Sequence, residues 1–134
     1  MPEVLVDSNI LLDIATEDAE WFDWSAACLA ELSTDHVLVI NPIVYSEVSV
    51  GYATIEALDA ALPGNRYRRE PVPWEAAFVG GKWFLRYRWA GGWRRWPRPD
   101  FYIGAHAAVR GMSLLTRDAR KYRAYFPKLR LIAP

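Results

Sequence analysis

The sequence predicts an α/β domain in which a largely parallel sheet is covered by helices on both faces. Short runs rich in Val, Ile and Leu alternate with segments whose apolar residues recur every three or four positions. Such alternation is typical of strands buried between two helical layers. No repeat, low-complexity tract or long linker interrupts it, so we expect one domain over residues 1–134.

The amino-terminal half predicts a strand, two helices, a second strand and two more helices. Val4–Val6 is a short apolar run that ends at Asp7, and Val37–Ile40 is a β-branched run. Asn41 followed by Pro42 is typical of an N-cap and the first residue of a helix. The helices predicted here have apolar residues at helical spacing: about Asn9–Thr16, a stripe of Trp21, Trp24, Cys28 and Leu32, Pro42 to about Tyr52, and about Thr54–Leu62.

The carboxy-terminal half continues this alternation around one loop. Gly91–Pro99 is a loop by its composition, and the Gly80-Gly81 pair weakens the helix predicted around it. The predicted strands are Arg68–Val72, Ser113–Thr116 and Leu129–Ile132. The predicted helices are Trp74 to about Ala90, Asp100–Arg110 and Ala119–Phe126.

Composition favours a folded protein that works in a reducing compartment. The chain has 134 residues and is 52% hydrophobic, so it can form a core without disulfides. Its one cysteine, Cys28, excludes an intrachain disulfide and is expected in the core. No uncharged apolar run reaches about 18 residues, and the first residues lack the basic start of a signal peptide. We therefore expect a soluble cytoplasmic protein with no membrane partner.

The net charge of zero hides a strong asymmetry along the chain. Residues 1–64 contain 12 acids and no Lys or Arg, whereas residues 65–134 contain 16 bases and four acids. The two parts carry −12 and +12, which sum to zero. This split either marks a surface for a polyanion or disappears because the two halves pack together and neutralise each other.

Two acids follow predicted strands and precede predicted helices, namely Asp7 and Asp118. The carboxyl ends of strands are where open α/β sheets bind ligands. Each acid taken alone also fits an ordinary helix N-cap.

Two further acids lie on apolar helix faces. The neighbours of Glu47 at three and four residues are apolar or small, so its carboxylate is expected toward the packed side. Asp100 opens a helix whose same-face residues are Ile, Gly and Ala. Glu47 could instead lie at the rim of the core and pair with an arginine. Asp100 could instead be an ordinary N-cap after Pro99.

The four acids together would form a cluster that needs a cation, because like charges within a few ångströms repel strongly. Ligand sets made of oxygen alone suit Mg²⁺ or Mn²⁺. Such an ion stabilises phosphoryl charge and lowers the pKa of a bound water, which suits phosphodiester hydrolysis.

A basic and aromatic segment, Trp93–Arg98, immediately precedes Pro99 and Asp100. Aromatic rings stack on unpaired bases and arginines neutralise phosphates, so this segment is a candidate RNA-binding loop. The alternative is that its tryptophans anchor the loop in the core or in a dimer interface. The candidate RNA-binding residues, including one from a second basic cluster around Asp118, are Arg94, Arg95, Trp96, Arg98 and Arg117.

The sequence resembles the PIN-domain nucleases and, among them, the VapC toxins of prokaryotic type II toxin–antitoxin systems. The matching stretches are VLVDSNILLD (4–13), NPIVYSEVSVGY (41–52), PDFYIGAHAAVRGMSLLTRDARKYRAYFP (99–127) and the closing LRLIAP. The resemblance implies a three-layer α/β/α fold with a central five-stranded parallel sheet and a metal pocket at one edge. It also implies an endoribonuclease toxin that depends on Mg²⁺ or Mn²⁺, a VapB-type antitoxin that inhibits it, RNA as substrate and a homodimer.

The resemblance also places the functional residues. The implied catalytic acids are Asp7, Glu47, Asp100 and Asp118. The first three are the implied metal ligands, and Asp118 would help through a water or through its charge. Asn9 and Thr116 match polar positions that support the acids or their waters. In the implied mechanism, an activated water attacks the phosphorus in line and the ribose 3′ oxygen leaves.

Three other functions fit parts of this pattern: a PIN-type RNase in RNA processing without an antitoxin, a phosphotransfer domain, and a non-catalytic RNA or protein adaptor. Asp7 after a first strand is typical of phosphotransfer domains, but Asn9 stands where a haloacid-dehalogenase-like phosphatase has a second Asp.

The two histidines, His36 and His106, have no partner at metal-binding spacing. On an ideal helix His106 falls about 120° from the Asp100 face, so we expect it to face elsewhere.

Overall fold

Strands and helices alternate along the chain as the sequence predicts. The computed structural model describes residues 1–92 and 98–134. Its strands are β1 (Glu3–Val6), β2 (Val37–Ile40), β3 (Tyr67–Arg69), β4 (Ser113–Leu115) and β5 (Leu131–Ile132). Its helices are α1 (Ser8–Ala15), α2 (Phe22–Leu32), α3 (Pro42–Val48), α4 (Ile55–Ala61), α5 (Trp74–Trp89), α6 (Pro99–Arg110) and α7 (Ala119–Tyr125).

The five strands form one parallel sheet in the order β3-β2-β1-β4-β5. The central strand β1 pairs with β2 on one side and β4 on the other, so that Leu5 lies opposite both Val39 and Leu114. Val4, Leu5 and Val6 are fully buried, as expected for a strand covered on both faces. The predicted α/β/α fold with a five-stranded parallel sheet is confirmed.

Several elements are shorter than their sequence patterns predict. The last strand covers Leu131–Ile132 and omits Leu129 and Arg130 of the predicted Leu129–Ile132. The helix that begins at Pro42 ends at Val48 and tightens into a 3₁₀ turn at Ser49–Gly51. The third strand covers Tyr67–Arg69 instead of reaching Val72. Pro71 lacks the backbone N–H that a longer ladder would use, which explains the early end of β3.

The helix α5 runs without a break through the two glycines that weaken its sequence pattern. A Cβ added to Gly80 would lie 2.6 Å from Cδ1 of Tyr102, a residue of α6. Gly80 therefore lets these two helices pack closely, and tertiary packing outweighs the low helix propensity of glycine.

The two oppositely charged halves of the chain pair with each other at several points. Ion pairs that join an acid of the first half to an arginine of the second are Glu3–Arg68, Glu3–Arg110, Asp59–Arg69 and Asp13–Arg117. Mutual neutralisation therefore accounts for part of the charge split. Among the described residues, no helix is long and apolar enough to cross a bilayer.

Candidate active site

The sheet order brings the ends of β1 and β4 together. The chain passes from β1 outward through β2 to β3 and then crosses to β4 on the other side of β1. Ligands bind at such a reversal, outside the carboxyl ends of the strands. Asp7 directly follows β1 and Thr116 directly follows β4, so both side chains lie at this position.

Asp7 is buried and is held by several donors. Its Oδ1 accepts a hydrogen bond from the backbone N–H of Ser8 at 2.8 Å, as an N-cap of α1 does. Its Oδ2 accepts from the hydroxyl of Thr116 at 2.8 Å and from that of Tyr122 at 3.0 Å. Burial raises the pKa of the Asp7 carboxyl above its ordinary value, although these hydrogen bonds and the charge of Lys121 oppose the shift.

Glu47 reaches the same place from α3. Its Oε1 accepts a 2.8 Å hydrogen bond from Oγ of Ser8, and that hydroxyl also lies 3.4 Å from Oδ1 of Asp7. Burial raises the pKa of Glu47, and the negative charges of Asp7 and Asp100 raise it further. The two shifted carboxyls therefore share a region that is poor in compensating positive charge.

Asp100 arrives from the first turn of α6. Pro99 occupies the preceding helical position, which places the Asp100 side chain at the start of the helix. The residue is buried, and Nε of Arg98 donates to its Oδ1 at 3.1 Å. Within the described residues, neither Asp7 nor Glu47 forms a salt bridge, so Arg98 compensates one of the three acids.

Together these side chains line a cavity of about 320 Å³, which we call the acidic cavity. Its lining consists of Asp7, Ser8, Asn9, Glu47, Arg98, Pro99, Asp100, Ile103, Lys121 and Tyr122. Three carboxylates from distant parts of the chain thus face one space, with an arginine and a lysine at the same surface. This is the convergence that the sequence predicts for Asp7, Glu47 and Asp100.

The two predicted supporting residues contact Asp7. The side-chain amide of Asn9 donates to Oδ2 of Asp7 and to Oγ1 of Thr116, each at 3.3 Å. Oδ1 of Asn9 in turn accepts from the backbone N–H of Arg117 at 3.2 Å. Asn9 and Thr116 therefore orient the first acid and join the turn after β1 to the turn after β4.

Asp118 lies outside the lining of the cavity. It occupies the N-cap of α7, and its side chain is half exposed. Oδ2 of Asp118 lies 3.6 Å from Nζ of Lys121, which does line the cavity. A catalytic contribution of Asp118 remains a prediction that would act through Lys121 or through water.

The structure describes two of the five predicted RNA-binding residues, Arg98 and Arg117. Arg94, Arg95 and Trp96 lie outside the described residues. Arg98 lines the acidic cavity, where it pairs with Asp100.

Arg117 makes contacts of a different kind. Its Nε donates to Asp13 at 2.8 Å, and its guanidinium lies over the ring of Trp21 at 5.3 Å. Ser25 donates to the same carboxylate oxygen at 2.6 Å, so Asp13 is a buried acid with both of its partners in place. These contacts give Arg117 a structural role, and its role in RNA binding remains a prediction.

Ser8 and Tyr122 are functional candidates that the sequence analysis did not single out. Ser8 joins Asp7 to Glu47, and Tyr122 donates to Asp7 from α7. Burial raises the pKa of Tyr122 well above its ordinary value, and the charges of Asp7, Asp100 and Glu47 raise it further. The sequence could have identified Ser8, because it follows Asp7 within the stretch VLVDSNILLD. Tyr122 is identified only by its contact with Asp7 in the folded chain.

His106 faces away from the acidic cavity, as its position on the helix predicts. It is fully buried, with Nε2 2.6 Å from Oε2 of Glu70 and Nδ1 2.9 Å from Nδ2 of Asn41. Oδ1 of Asn41 accepts from the backbone N–H of Val44, so Nδ2 of Asn41 must be the donor to His106. The proton of the neutral ring is therefore on Nε2, which donates to Glu70.

Glu70 is the centre of a wider set of contacts. Arg110 donates to both of its carboxylate oxygens at 3.1 Å, and Arg110 and Arg68 also pair with Glu3. We call this set the Glu70 network; its members are Glu3, Asn41, Arg68, Glu70, His106 and Arg110.

The donor set of the acidic cavity fits a hard divalent cation. Its candidate ligands are carboxylate oxygens, which Mg²⁺ and Mn²⁺ prefer. Among residues 1–92 and 98–134, no three His, Cys, Asp or Glu side chains already form a closed metal-binding group. Mg²⁺ does not need one, because it retains several waters and binds through one or two carboxylates. Burial is the main cause of the raised pKa of Glu47, and a cation would relieve the repulsion from Asp7 and Asp100 that adds to it.

Comparisons with known proteins give the same fold. The chain is similar to VapBC2 from Rickettsia felis bound to a promoter DNA fragment, with TM-score 0.74, 18% identity and coverage of 98% of each chain. It is also similar to VapBC-1 from nontypeable Haemophilus influenzae, with TM-score 0.70, 20% identity and coverage of 98% of this chain and 97% of that one. For DNA-bound VapBC from Salmonella typhimurium the TM-score is 0.70 at 19% identity, with 99% and 98% covered.

A comparison with curated proteins finds no matching sequence. The family model described as PIN domain matches residues 4–127. This range includes β2, β3, β4, β1 apart from Glu3, and the three carboxylates of the acidic cavity. The chain therefore belongs to the PIN domain family.

Proposed function

We propose that this chain is an endoribonuclease toxin of the VapC type, which hydrolyses RNA phosphodiester bonds with the help of Mg²⁺ or Mn²⁺. The observation that carries the proposal is the acidic cavity, where Asp7, Glu47 and Asp100 converge from three separate segments. Burying unpaired carboxylates together is costly, and the raised pKa values of Asp7 and Glu47 express that cost. A site that retains such a cost is typical of function rather than of stability.

The residues divide into those that would hold a cation and those that orient them. Asp7, Glu47 and Asp100 would hold it, and when bound it would stabilise phosphoryl charge and acidify a water. Ser8 and Tyr122 keep the carboxylate of Asp7 turned toward the cavity through their hydrogen bonds. Hydrolysis then breaks the bond from phosphorus to the ribose 3′ oxygen, with a water attacking in line.

Two basic side chains of the cavity are suited to the substrate. Arg98 and Lys121 line the same space as the acids, so a phosphate that approaches the carboxylates meets both cations. In the described structure Arg98 is held by Asp100 at 3.1 Å. If Asp100 held a cation, Arg98 would be free to bind an RNA phosphate, as a guanidinium does through charge-assisted hydrogen bonds.

An RNA cleavage assay tests the nuclease proposal. The parent chain should cleave RNA with Mg²⁺, lose cleavage in EDTA and regain it when Mg²⁺ is added back. Asp7→Asn and Asp100→Asn should each lose at least about 1,000-fold in rate, or roughly 4 kcal/mol, because both remove an anionic ligand.

The control is Glu31→Gln, which removes an exposed acid at the end of α2. It should cleave like the parent. Cleavage that persists in EDTA, or an Asp100→Asn variant that cleaves normally, would overturn the proposal. RNA 5′ ends sequenced after induction of the parent and of Asp7→Asn would then identify the target.

The partner proposed for this nuclease is a VapB-type antitoxin. The solved structures with the same fold are named as VapBC assemblies, and two of them are bound to DNA. A small open reading frame upstream of this chain should encode a DNA-binding protein with a tail that blocks the acidic cavity. Expression of this chain alone should stop growth, and co-expression of that protein should restore it. If no such protein exists, the RNA-processing alternative is favoured.

A further inference from the structure

A second cavity lies between the end of α5 and α7, and we call it the aromatic cavity. Its volume is about 510 Å³, which is larger than that of the acidic cavity. Among the described residues that line it, none is acidic. The side chains and backbone used below come from Trp83, Arg86, Tyr87, Gly92, Ala124 and Tyr125.

The rings of the aromatic cavity are held in place by contacts with one another. The Trp83 and Tyr125 rings meet edge to face with their centroids 5.5 Å apart, and Tyr125 meets Phe101 in the same way at 4.8 Å. Phe101 is fully buried and also contacts Tyr87 at 6.1 Å. Trp83, Tyr87 and Tyr125 are themselves only partly buried, so the cavity presents a preformed aromatic surface to solvent.

The turn after α5 closes this cavity with backbone. Gly91 has a φ of +93°, in the left-handed region that favours glycine. A Cβ added to Gly92 would collide with the ring of Tyr87. The two glycines therefore let the chain pass close to Tyr87 without placing a side chain in the cavity.

Arg86 supplies the charge of the aromatic cavity. Its guanidinium lies over the ring of Trp83, 4.6 Å from the ring centroid. The residue is exposed, and no carboxylate in the described part of the chain pairs with it. Bases stack on aromatic rings and on the planar face of arginine, and the positive charge attracts the phosphates beside them. The combination therefore suits a nucleobase.

Two helices connect the aromatic cavity with the acidic cavity. On α7, Lys121 lines the acidic cavity, while Ala124 and Tyr125 line the aromatic cavity. These positions are three and four residues apart, so they share one helix face and are separated by about 6 Å along it. On α6, Asp100 lines the acidic cavity and the next residue, Phe101, supports Tyr125. A separation of about 6 Å is roughly two steps of a stacked strand, which rises ~3.4 Å per nucleotide.

We propose that the aromatic cavity binds one unpaired base of the RNA, about two nucleotides from the phosphate cleaved in the acidic cavity; this rests on the proposed nuclease function. The occupant is unpaired because a base inside a duplex is already stacked between its neighbours. Phosphate is the same at every nucleotide, so contacts with it carry no sequence information. The aromatic cavity is then the place where this chain distinguishes one position of the strand from the next.

Binding of two single-stranded oligomers tests the cavity without cleavage. The probes are an oligoadenylate of about eight nucleotides and an abasic oligomer of the same length and charge, measured by fluorescence anisotropy. Asp7→Asn in EDTA serves as the background, so that neither probe is cut. The background chain should bind the oligoadenylate about 10-fold more tightly than the abasic oligomer, which is the effect of one stacked base.

Filling the cavity should remove this preference. Ala124 is exposed on α7, and leucine has nearly the helix propensity of alanine, so Ala124→Leu should fold like the background chain. It should bind the abasic oligomer normally and lose most of the 10-fold preference. The matched control is Ala27→Leu, the same exchange at an exposed position of α2, which should keep the preference. Equal preferences in the two variants would overturn the proposal, as would be found if the cavity took a side chain of a protein partner.

The part played by Arg86 is measured separately. Arg86→Lys keeps the positive charge but loses the planar face. It should lower the preference for the oligoadenylate about threefold and leave the dependence of affinity on salt unchanged, because the number of neutralised phosphates stays the same. A loss of affinity that is equal for both oligomers would place Arg86 on a phosphate and contradict its stacking on the base.

RNA cleavage separates failure of this inference from failure of the proposed function. With Mg²⁺ and Asp7 intact, Ala124→Leu should raise KM about 10-fold and leave kcat within about twofold, because the three acids are unchanged. A parent chain that cleaves RNA in an EDTA-sensitive way, while its Asp7→Asn form shows no preference for the oligoadenylate, would overturn the role of the aromatic cavity alone. A chain that neither cleaves nor binds RNA would overturn the proposed function and this inference with it.

Discussion

The acidic cavity and the Glu70 network each bring several charged side chains together, but they treat those charges differently. The arginines of the network are partly exposed, with 44% of the Arg68 side chain and 39% of the Arg110 side chain open to solvent. In the Glu70 network, every carboxylate faces donors of opposite charge: Arg110 contacts both oxygens of Glu70, and both arginines contact Glu3. Burial alone would raise the pKa of Glu70, but the hydrogen bonds from Arg110 and His106 lower it overall. In the acidic cavity, burial raises the pKa of both Asp7 and Glu47.

The difference shows where this protein gains stability and where it retains reactivity. A carboxylate whose pKa is lowered by its donors stabilises the folded state at neutral pH, whereas one whose pKa is raised lowers the stability of the folded state there. The Glu70 network therefore fastens α6 to β2 and β3. The acidic cavity keeps a deficit of positive charge that a cation and a substrate can fill.

The sharpest way to test this contrast is to neutralise one acid in the cavity. Asp7→Asn should lose about 1,000-fold in RNA cleavage, yet unfold at the same temperature as the parent or higher when divalent ions are absent. The variant no longer buries a charge, and the hydroxyl of Tyr122 can turn to accept from the new amide. Thermal unfolding in EDTA together with the cleavage rate measures both effects.

The same exchange at a compensated acid is the control. Asp13 accepts from Ser25 and Arg117, so Asp13→Asn should lose about 1–3 kcal/mol of stability. An Asp7→Asn variant that is destabilised as much as Asp13→Asn would contradict the contrast.

Removing the imidazole of His106 from the Glu70 network should lower stability and leave RNA cleavage almost unchanged, which is the opposite of the effects expected for Asp7→Asn. His106→Ala leaves Asn41 and Glu70 without their partner and opens a cavity, so we expect a loss of about 3 kcal/mol in the free energy of unfolding. Cleavage per folded molecule should stay within about threefold of the parent, because His106 does not line the acidic cavity. Urea unfolding and a cleavage assay at low temperature measure the two. A His106→Ala variant that is fully folded but inactive would contradict the assignment of stability to the Glu70 network and of catalysis to the acidic cavity.

A divalent ion should stabilise the fold by binding in the acidic cavity and not in the Glu70 network. At 100 times its dissociation constant, Mg²⁺ should raise the stability of the parent by about 2.7 kcal/mol. His106→Ala should show the same gain, whereas Asp7→Asn should show little or none. Thermal unfolding with and without Mg²⁺, at ionic strength matched with NaCl, gives the comparison. An equal gain in Asp7→Asn would place the ion elsewhere.

The smallest expected effect is a difference in the sign of two pH dependences. The lowered pKa of Glu70 contributes stability above its unfolded value of about 4.3, and that stability is lost as the pH falls through the folded value. The raised pKa of Asp7 acts in the other direction, so its penalty appears as the pH rises from about 3.9 through the folded value. Urea unfolding in EDTA between about pH 3 and 8 measures both limbs.

Each limb has its own variant. Glu70→Gln should flatten the loss of stability in acid, and Asp7→Asn should flatten the loss as the pH rises. Identical profiles for both variants would show that the two carboxylates do not differ in compensation.

The pattern of elements was predictable because it depends on local chemistry. Val4–Val6 and Val37–Ile40 form strands where β-branched and apolar runs occur, and Asn41 caps α3 as its sequence predicts. The hypothesis that Asp7, Glu47 and Asp100 lie together also came from the sequence, since all three lie at strand ends or on apolar helix faces. The early end of β3 and the unbroken α5 depend on Pro71 and on the ring of Tyr102, so local propensity alone misjudged them.

The sequence by itself determined the periodicity of the helices and strands, the segregation of charge along the chain and the identity of the acids, because these are written in local order. Only the tertiary structure decided which charges have partners. Asp13 meets Arg117 across more than a hundred residues, while Glu47 meets the hydroxyl of Ser8 and the charge of another acid. Electrostatic compensation depends on distances through space. The order of residues along the chain does not give those distances, which are set when the sheet brings the ends of its strands together.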